Sequence, residues 1–170
     1  HMLALPVMIA WVGALMAAAD RKGAPSWYWL PLMSLWSNLH GGFVLGLALI
    51  GPMSFVALWG MESGKQVRLL SRWFLFGVAA LAASCVTPYG WRTLLGAINI
   101  LNLGELLTII SEWSPASFAS FSAFEGALFG LIAIGLYRGL TLSPPRILLI
   151  LLLTWSALTH VRSIEAFAFL

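Results

Sequence analysis

Long runs of apolar residues, separated by short polar stretches, dominate the hydropathy pattern of this chain. Because a helix that crosses about 30 Å of hydrocarbon needs about 20 largely apolar residues, these runs predict transmembrane helices. The predicted membrane segments are residues 3–19, 27–36, 43–60, 73–86, a fifth that ends at 137, and a sixth from 147 to at least 159. The fifth starts either near Phe118 or at Gly126, and only the earlier start places Glu125 inside the apolar zone.

A different pattern occupies residues 94–110, between the fourth and fifth segments. Asn99, Asn102 and Glu105 are three residues apart there, so they share one face of a helix whose other faces carry Leu and Ile. This pattern predicts an amphipathic helix that lies in the membrane interface or lines a wet cavity.

The composition supports the same class of protein. Hydrophobic residues make up 61% of the 170 residues and charged residues 9%, with a mean hydropathy of +0.93. Soluble domains have about 45–50% apolar and about 25% charged residues, so the composition excludes a water-soluble globule. It also excludes a disordered chain, which needs low hydrophobicity and high charge. We therefore predict an all-α fold: a polytopic transmembrane helix bundle with about six membrane segments and one amphipathic helix, in a single transmembrane domain over residues 1–170.

Both ends of the chain suggest a fragment. An apolar run begins directly after His1-Met2, and the last residues, 166–170, lie inside another apolar stretch. We therefore expect the chain to be part of a longer membrane protein.

The nine Lys and Arg residues predict the topology, since cytoplasmic loops of membrane proteins carry an excess of these residues. If the chain turns back near His40-Gly41, residues 27–60 cross the membrane twice and the cations divide seven to two. The seven on the predicted cytoplasmic side are Arg21, Lys22, Lys65, Arg68, Arg72, Arg138 and Arg146. Only Arg92 and Arg162 then remain on the outer side. The same nine cations are too few and too scattered for a nucleic-acid surface, so no nucleic-acid partner is expected.

Several polar residues from distant segments collect on the predicted outer side. The candidate substrate-binding residues are Asn38, His40, Arg92, Glu105, Glu112, His160 and Arg162. Two interpretations of Asn38 and His40 stay open, a tight turn with a satisfied histidine or the lip of a site that binds a polar head group. Arg92 and Arg162 either anchor helix ends at the interface or bind an anionic ligand.

Glycine spacing, cysteine content and the search for enzyme motifs limit the kinds of site that the chain can form. Gly42 and Gly46, and likewise Gly126 and Gly130, have the small-xxx-small spacing that suits helix packing or oligomerisation. Cys85 is the single cysteine, so no intrachain disulfide can form. No nucleotide-binding, zinc-protease or serine-hydrolase motif is present, so neither a metal site nor a cofactor is evident.

Four short stretches carry a resemblance to a known family. They are LWSNLHGGF at 35–43, TPYG at 87–90, ISEWSP at 110–115 and HVRSI at 160–164. In order and spacing this set resembles bacterial multi-span inner-membrane proteins related to the C-type integral-membrane glycosyltransferases and the protein-mannosyltransferase-like proteins. The resemblance covers residues 26–165.

The resemblance implies a bacterial inner-membrane protein that uses a polyprenyl-phosphate-linked sugar at the outer membrane face. In that superfamily the catalytic carboxylate typically lies in the first outer loop, and no Asp or Glu occupies a corresponding place here. Asp20 falls on the predicted cytoplasmic side, so no catalytic residue is assigned. Two alternatives stay open: in a fragment, a loop before residue 1 could carry this carboxylate, whereas a complete chain would lack it and would not perform catalysis of this type.

Two other function classes stay open. In a transporter or flippase-like protein, Glu125, His160 and Arg162 would line a path through the membrane. A noncatalytic membrane subunit would instead use its helix-packing faces. Neither class has a distinctive motif in this sequence.

Overall fold

The computed structural model describes residues 4–101, 123–139 and 141–159, and every regular element within these ranges is helical. The all-α prediction is therefore confirmed for this part of the chain. The contacts divide the chain into two compact units, His1–Leu103 and Gly104–Leu170.

The helices have the following bounds. The first unit contains α1 (Ala4–Asp20), α2 (Leu30–Leu39), α3 (Phe43–Ala48), α4 (Ile50–Leu58), α5 (Ser63–Ser84) and α6 (Arg92–Leu101), with a 3₁₀ turn at Trp27–Trp29 before α2. The second unit contains α7 (Ala123–Arg138) and α8 (Pro144–Thr159).

Helix α1 ends in a Schellman motif. The Gly23 N–H donates to the Ala18 carbonyl at 3.0 Å, and the Lys22 N–H donates to the Ala19 carbonyl at 3.1 Å. Lys22 occupies the left-handed position at φ 52°, which glycine normally takes. Its ammonium donates to the Trp59 carbonyl at 2.5 Å, and this bond offsets part of the backbone cost.

The apolar segment that starts at Phe43 is interrupted at Leu49, between α3 and α4. Proline has no N–H, so Pro52 cannot donate to the carbonyl four residues earlier, that of Ala48. The chain nevertheless continues in the same direction, because the Leu49 N–H donates to Leu45 and the Met53 N–H donates to Leu49, at 2.9 and 3.0 Å.

The chain reverses direction at His40-Gly41-Gly42, as the distribution of cations favoured. Lys22, at the end of α1, bonds to the carbonyl of Trp59, at the end of α4. Since α2 leaves the end of α1 and α3–α4 returns to it, residues 27–59 form a helical hairpin. The opposite end of this hairpin contacts the end of α5, where the Asn38 amide donates to the Val86 carbonyl at 2.8 Å.

Large aromatic side chains form the core of the first unit. Trp11, Trp36 and Trp73 are almost fully buried, as are Phe43 and Phe76. The Trp11 ring stacks on Phe76 with the ring centroids 5.7 Å apart, and its indole N–H donates to the Gly46 carbonyl at 2.9 Å. The Trp73 indole N–H donates to the Gly23 carbonyl at 3.0 Å. The indoles of Trp11 and Trp73 are thus hydrogen-bonded to backbone groups of other segments, which suits a buried N–H.

The helix that contains the fourth predicted membrane segment extends beyond that segment, on the N-terminal side of Trp73. Helix α5 begins at Ser63 and has 22 residues, about 33 Å at 1.5 Å per residue. The helix extends through the basic stretch because Leu69 is buried one turn before Trp73, while Lys65, Arg68 and Arg72 are exposed on its other sides.

Among the described helices, α5 is the one that is long and apolar enough to cross a membrane by length and composition. Four other apolar stretches have 10–17 residues: Ala4–Asp20, Phe43–Leu58, Leu128–Arg138 and Pro144–Trp155. The length criterion alone therefore identifies a single crossing helix in the described ranges.

Helices α6, α7 and α8 begin at residues that differ from the predicted ones. Helix α7 begins at Ala123, between the two starts considered, so the backbone of Glu125 is helical. Helix α8 begins at Pro144, slightly before the predicted residue 147. The amphipathic helix predicted over 94–110 is present as α6, which begins at Arg92; residues 102–110 lie outside the described ranges.

Candidate functional site

Asn38 joins the ends of two helices. Its amide nitrogen donates to the carbonyl of Ser34, one turn earlier in α2, at 2.7 Å, and to the carbonyl of Val86, just after α5, at 2.8 Å. Backbone carbonyls at the end of a helix have no partner within it. Val86 lies just after α5, and Asn38 satisfies its carbonyl. The side chain is nevertheless exposed, so it lies at the surface of the unit.

His40 shapes the turn at the tip of the hairpin. Its Nδ1 accepts a hydrogen bond from the Gly42 N–H at 2.9 Å. A nitrogen that accepts carries no proton, so the ring is neutral in this arrangement and its proton is on Nε2, a buried atom. These contacts favour the turn interpretation of His40.

A row of serine hydroxyls continues inward from Asn38 along the contact between α2 and α5. Ser34 Oγ donates to the Ala83 carbonyl of α5 at 2.7 Å, and Ser37 Oγ donates to the Ser34 carbonyl at 3.0 Å. Ser84 is fully buried, and its hydroxyl donates within α5 to Leu81 at 2.7 Å. Sequence reasoning missed Ser34 and Ser84; the signal available was that both hydroxyls interrupt otherwise apolar runs.

The turn that follows α5 presents aromatic and basic side chains. Thr87 Oγ1 and Thr93 Oγ1 are 2.6 Å apart and close the turn, and Gly90 has the positive φ of 57° that the turn requires. Tyr89 is 76% exposed, and Arg92, the first residue of α6, is also exposed. The turn therefore offers a cation and an aromatic ring on the surface that carries Asn38.

Two of the four stretches that carry the family resemblance meet here. The Asn38–Val86 hydrogen bond connects residues 35–43 with the turn at 87–90. We call this surface the Asn38–Arg92 end, defined by Asn38, His40, Tyr89 and Arg92. Asn38 and His40 are engaged in hydrogen bonds within the chain, so the group that this surface presents to a polar or anionic ligand is the exposed Arg92 guanidinium.

Four of the predicted site residues lie outside the described ranges: Glu105, Glu112, His160 and Arg162. Within those ranges, no group of three or more His, Cys, Asp or Glu side chains is arranged to hold a metal ion.

Gly42, Gly46 and Gly130, from the two predicted glycine pairs, differ in their surroundings. A Cβ on Gly46 would overlap the Trp36 ring and lie 3.2 Å from Trp11 Cδ1, so Gly46 is packed against indoles of its own chain. A Cβ on Gly42 would lie 2.9 Å from His40 Nδ1. Gly130, in α7, has open space at the Cβ position.

Comparisons with protein-family models, with curated proteins and with solved structures give no match for this chain.

Proposed function

We propose that this chain is a multi-pass membrane protein of about six membrane segments, located in the bacterial inner membrane. The observation that carries the proposal is the outer surface of α5. Val67 is 69% exposed and Phe74 is 68% exposed, and Leu75 and Val78 are also exposed on the same helix. Only 28% of the apolar stretch of α5 is buried, whereas the core helix of a soluble protein is mostly buried. Lipid tails are the solvent that suits such a surface.

The charged residues support this proposal because they avoid the middle of the first unit. Arg21, Lys22 and the basic residues of α5 lie toward one end, where Lys22 bonds to Trp59 and Trp73 bonds to Gly23. At the opposite end, with Asn38, Arg92 is the single Lys or Arg among the described residues. An excess of cations at one end is typical of the cytoplasmic side, which supports an extracytoplasmic position for the Asn38–Arg92 end.

The short helices are compatible with a membrane location. Helix α1 and the combined α3–α4 segment have lengths of about 24–26 Å at 1.5 Å per residue, slightly below the average hydrocarbon thickness. Local thinning of the bilayer and extension of Lys and Arg side chains toward the head groups accommodate a mismatch of this size.

At the level of activity, we propose that the Asn38–Arg92 end belongs to a glycosyltransferase that uses a polyprenyl-phosphate-linked sugar. Two features support this. Two of the four stretches that resemble the C-type glycosyltransferases meet there, and Arg92 supplies an exposed guanidinium, a group that pairs well with phosphate. The Asn38 amide is engaged with two carbonyls, so its role is to fix the turn beside the ligand.

Topology is tested by cysteine labelling in a Cys85→Ala background. Tyr89→Cys and Gly64→Cys place single thiols at exposed positions near the two ends of α5. With an impermeant maleimide on intact spheroplasts, we expect Tyr89→Cys to label and Gly64→Cys to label only after permeabilisation. Labelling of Gly64→Cys alone would invert the topology. Labelling of both before permeabilisation would contradict the membrane proposal.

Ligand binding is tested with two arginine variants. We expect Arg92→Ala and Arg162→Ala each to weaken polyprenyl-phosphate binding by about 1.5–3 kcal/mol, the range for a hydrogen bond to a charged group. The control is Arg138→Ala, on the predicted cytoplasmic side, which should bind almost as tightly as the parent chain. The measurement is lipid-phosphate titration of purified protein in nanodiscs. Equal and negligible effects in all three variants would mean that these arginines only anchor helix ends, and the glycosyltransferase proposal would lose its support.

A further inference from the structure

Five cations of the first unit lie on the side opposite the Asn38–Arg92 end. We call this surface the basic end, defined by Arg21 and Lys22 after α1 and by Lys65, Arg68 and Arg72 in α5. Two hydrogen bonds hold its segments together, from Lys22 to the Trp59 carbonyl at 2.5 Å and from Trp73 to the Gly23 carbonyl at 3.0 Å. The cations are therefore held on a fixed framework.

Neighbouring groups bind two of the five cations of the basic end and leave the others available to bind a ligand. Glu62 pairs with Lys65 at 2.9 Å, and the Lys22 ammonium is bound to Trp59. Arg21, Arg68 and Arg72 are exposed, and no ion pair within the described ranges involves them. Arg68 and Arg72 are one helical turn apart, which puts the two guanidinium groups on the same face of α5.

Aromatic side chains surround the same end. Trp27 is 58% exposed and Tyr28 is 92% exposed in the turn before α2, and Trp59 is exposed at the end of α4. Trp and Tyr, each with an apolar ring and a polar N–H or O–H, concentrate at the level of lipid head groups. The combination of exposed arginines and exposed aromatics is suited to the head-group layer.

We propose that the basic end binds the head groups of anionic phospholipids, and that Arg68 and Arg72 contact the lipid phosphates. This inference rests on the membrane location proposed above. Leu75 follows Arg72 by three residues and Arg68 by seven, so this exposed leucine lies on the same face of α5, deeper in the bilayer. One lipid molecule can thus place its phosphate on the arginines and its tail on the apolar surface. A nucleic acid or an acidic soluble protein would leave that apolar surface in water.

The experiment is a lipid-retention measurement. The full chain is incorporated into nanodiscs that contain phosphatidylglycerol and phosphatidylcholine in equal amounts, and native mass spectrometry identifies the lipids that remain bound after release. We expect the parent chain to retain phosphatidylglycerol preferentially. Each Lys or Arg near an anionic surface contributes about fivefold to binding, so Arg68→Gln/Arg72→Gln should lower this preference about 25-fold.

Two control variants separate charge from folding and from position. Arg68→Lys/Arg72→Lys keeps both charges and should retain most of the preference, whereas a loss caused by misfolding would affect thermal unfolding as well. Glu62→Gln/Lys65→Gln removes a paired cation from the same helix without changing the net charge, and should leave the preference close to that of the parent chain. An unchanged preference in Arg68→Gln/Arg72→Gln would overturn the proposal.

The outcomes also separate this inference from the proposed function. If the chain does not enter nanodiscs and is released from membranes by carbonate, the membrane location and the lipid site both fail. If it enters nanodiscs in the expected orientation but does not discriminate between the two lipids, only the lipid site fails.

Discussion

Replacement of Trp11 by alanine is expected to lower the free energy of unfolding by about 3 kcal/mol, the lower end of the range for Trp→Ala in a packed core. The indole is fully buried, stacks on Phe76 and donates to the Gly46 carbonyl. In a bilayer the lipid tails are as apolar as the protein interior, so the loss comes from the cavity and the missing contacts. Reversible unfolding in mixed micelles measures the change.

Two further variants resolve the source of this effect. Trp11→Phe keeps an aromatic ring but removes the N–H and part of the indole volume, so it should cost more than about 1 kcal/mol, the value of one hydrogen bond, and less than Trp11→Ala. Trp27→Ala removes an indole that is exposed in the turn before α2, and we expect it to change the stability by less than about 0.5 kcal/mol. If Trp11→Ala were as mild as Trp27→Ala, the packing around Trp11 described above would be incorrect.

The helices themselves were readable from the sequence because apolar runs and their Gly and Pro boundaries are local features. The apolar run alone does not locate the beginning of α5, because cations interrupt that run before Trp73. The spacing of Leu69, Trp73, Phe76 and Ala80 already marked one buried face that extends past Arg72. Amphipathic periodicity, applied to the basic stretch, would have placed the start earlier.

The candidate site shows a different limit of sequence reasoning. The turn at residues 40–42 and the turn at 87–90 were both recognisable from Gly and Pro. Their proximity depends on the hydrogen bond between Asn38 and Val86, which are 48 residues apart. No local pattern encodes such a contact, and Ser34, which reinforces it through Ala83, looked like an ordinary polar interruption.

The positions of the cations along the chain carry information about the tertiary arrangement. The distribution of charge favoured a reversal near His40, and the contact of Lys22 with Trp59 requires the same reversal. A global rule on charge thus predicted a tertiary arrangement that hydropathy alone left open, since residues 27–36 are short for a crossing helix.

Gly46→Ala is expected to destabilise the first unit by about 2–3 kcal/mol, the upper part of the range for overpacking. The added Cβ would overlap Trp36 Cζ3 and lie 3.0 Å from Cη2 of the same ring, with Trp11 Cδ1 at 3.2 Å. Neither indole can move away easily, since both are almost fully buried and Trp11 is also bound to the Gly46 carbonyl. Equilibrium unfolding of the purified chain in micelles measures the loss.

The same substitution at Gly13 is the matched control. Gly13 lies within α1, and nothing is within 4 Å of its Cβ position, so Gly13→Ala should be neutral or stabilise the helix by up to about 1 kcal/mol. A second test is rescue: Trp36→Leu removes the ring that the new methyl group meets, so Gly46→Ala should cost less in that background than in the parent chain. Additive effects of the two substitutions would contradict the contact between Gly46 and Trp36. Coupled effects would establish that this glycine is required for the close approach of α3 to the tryptophan core.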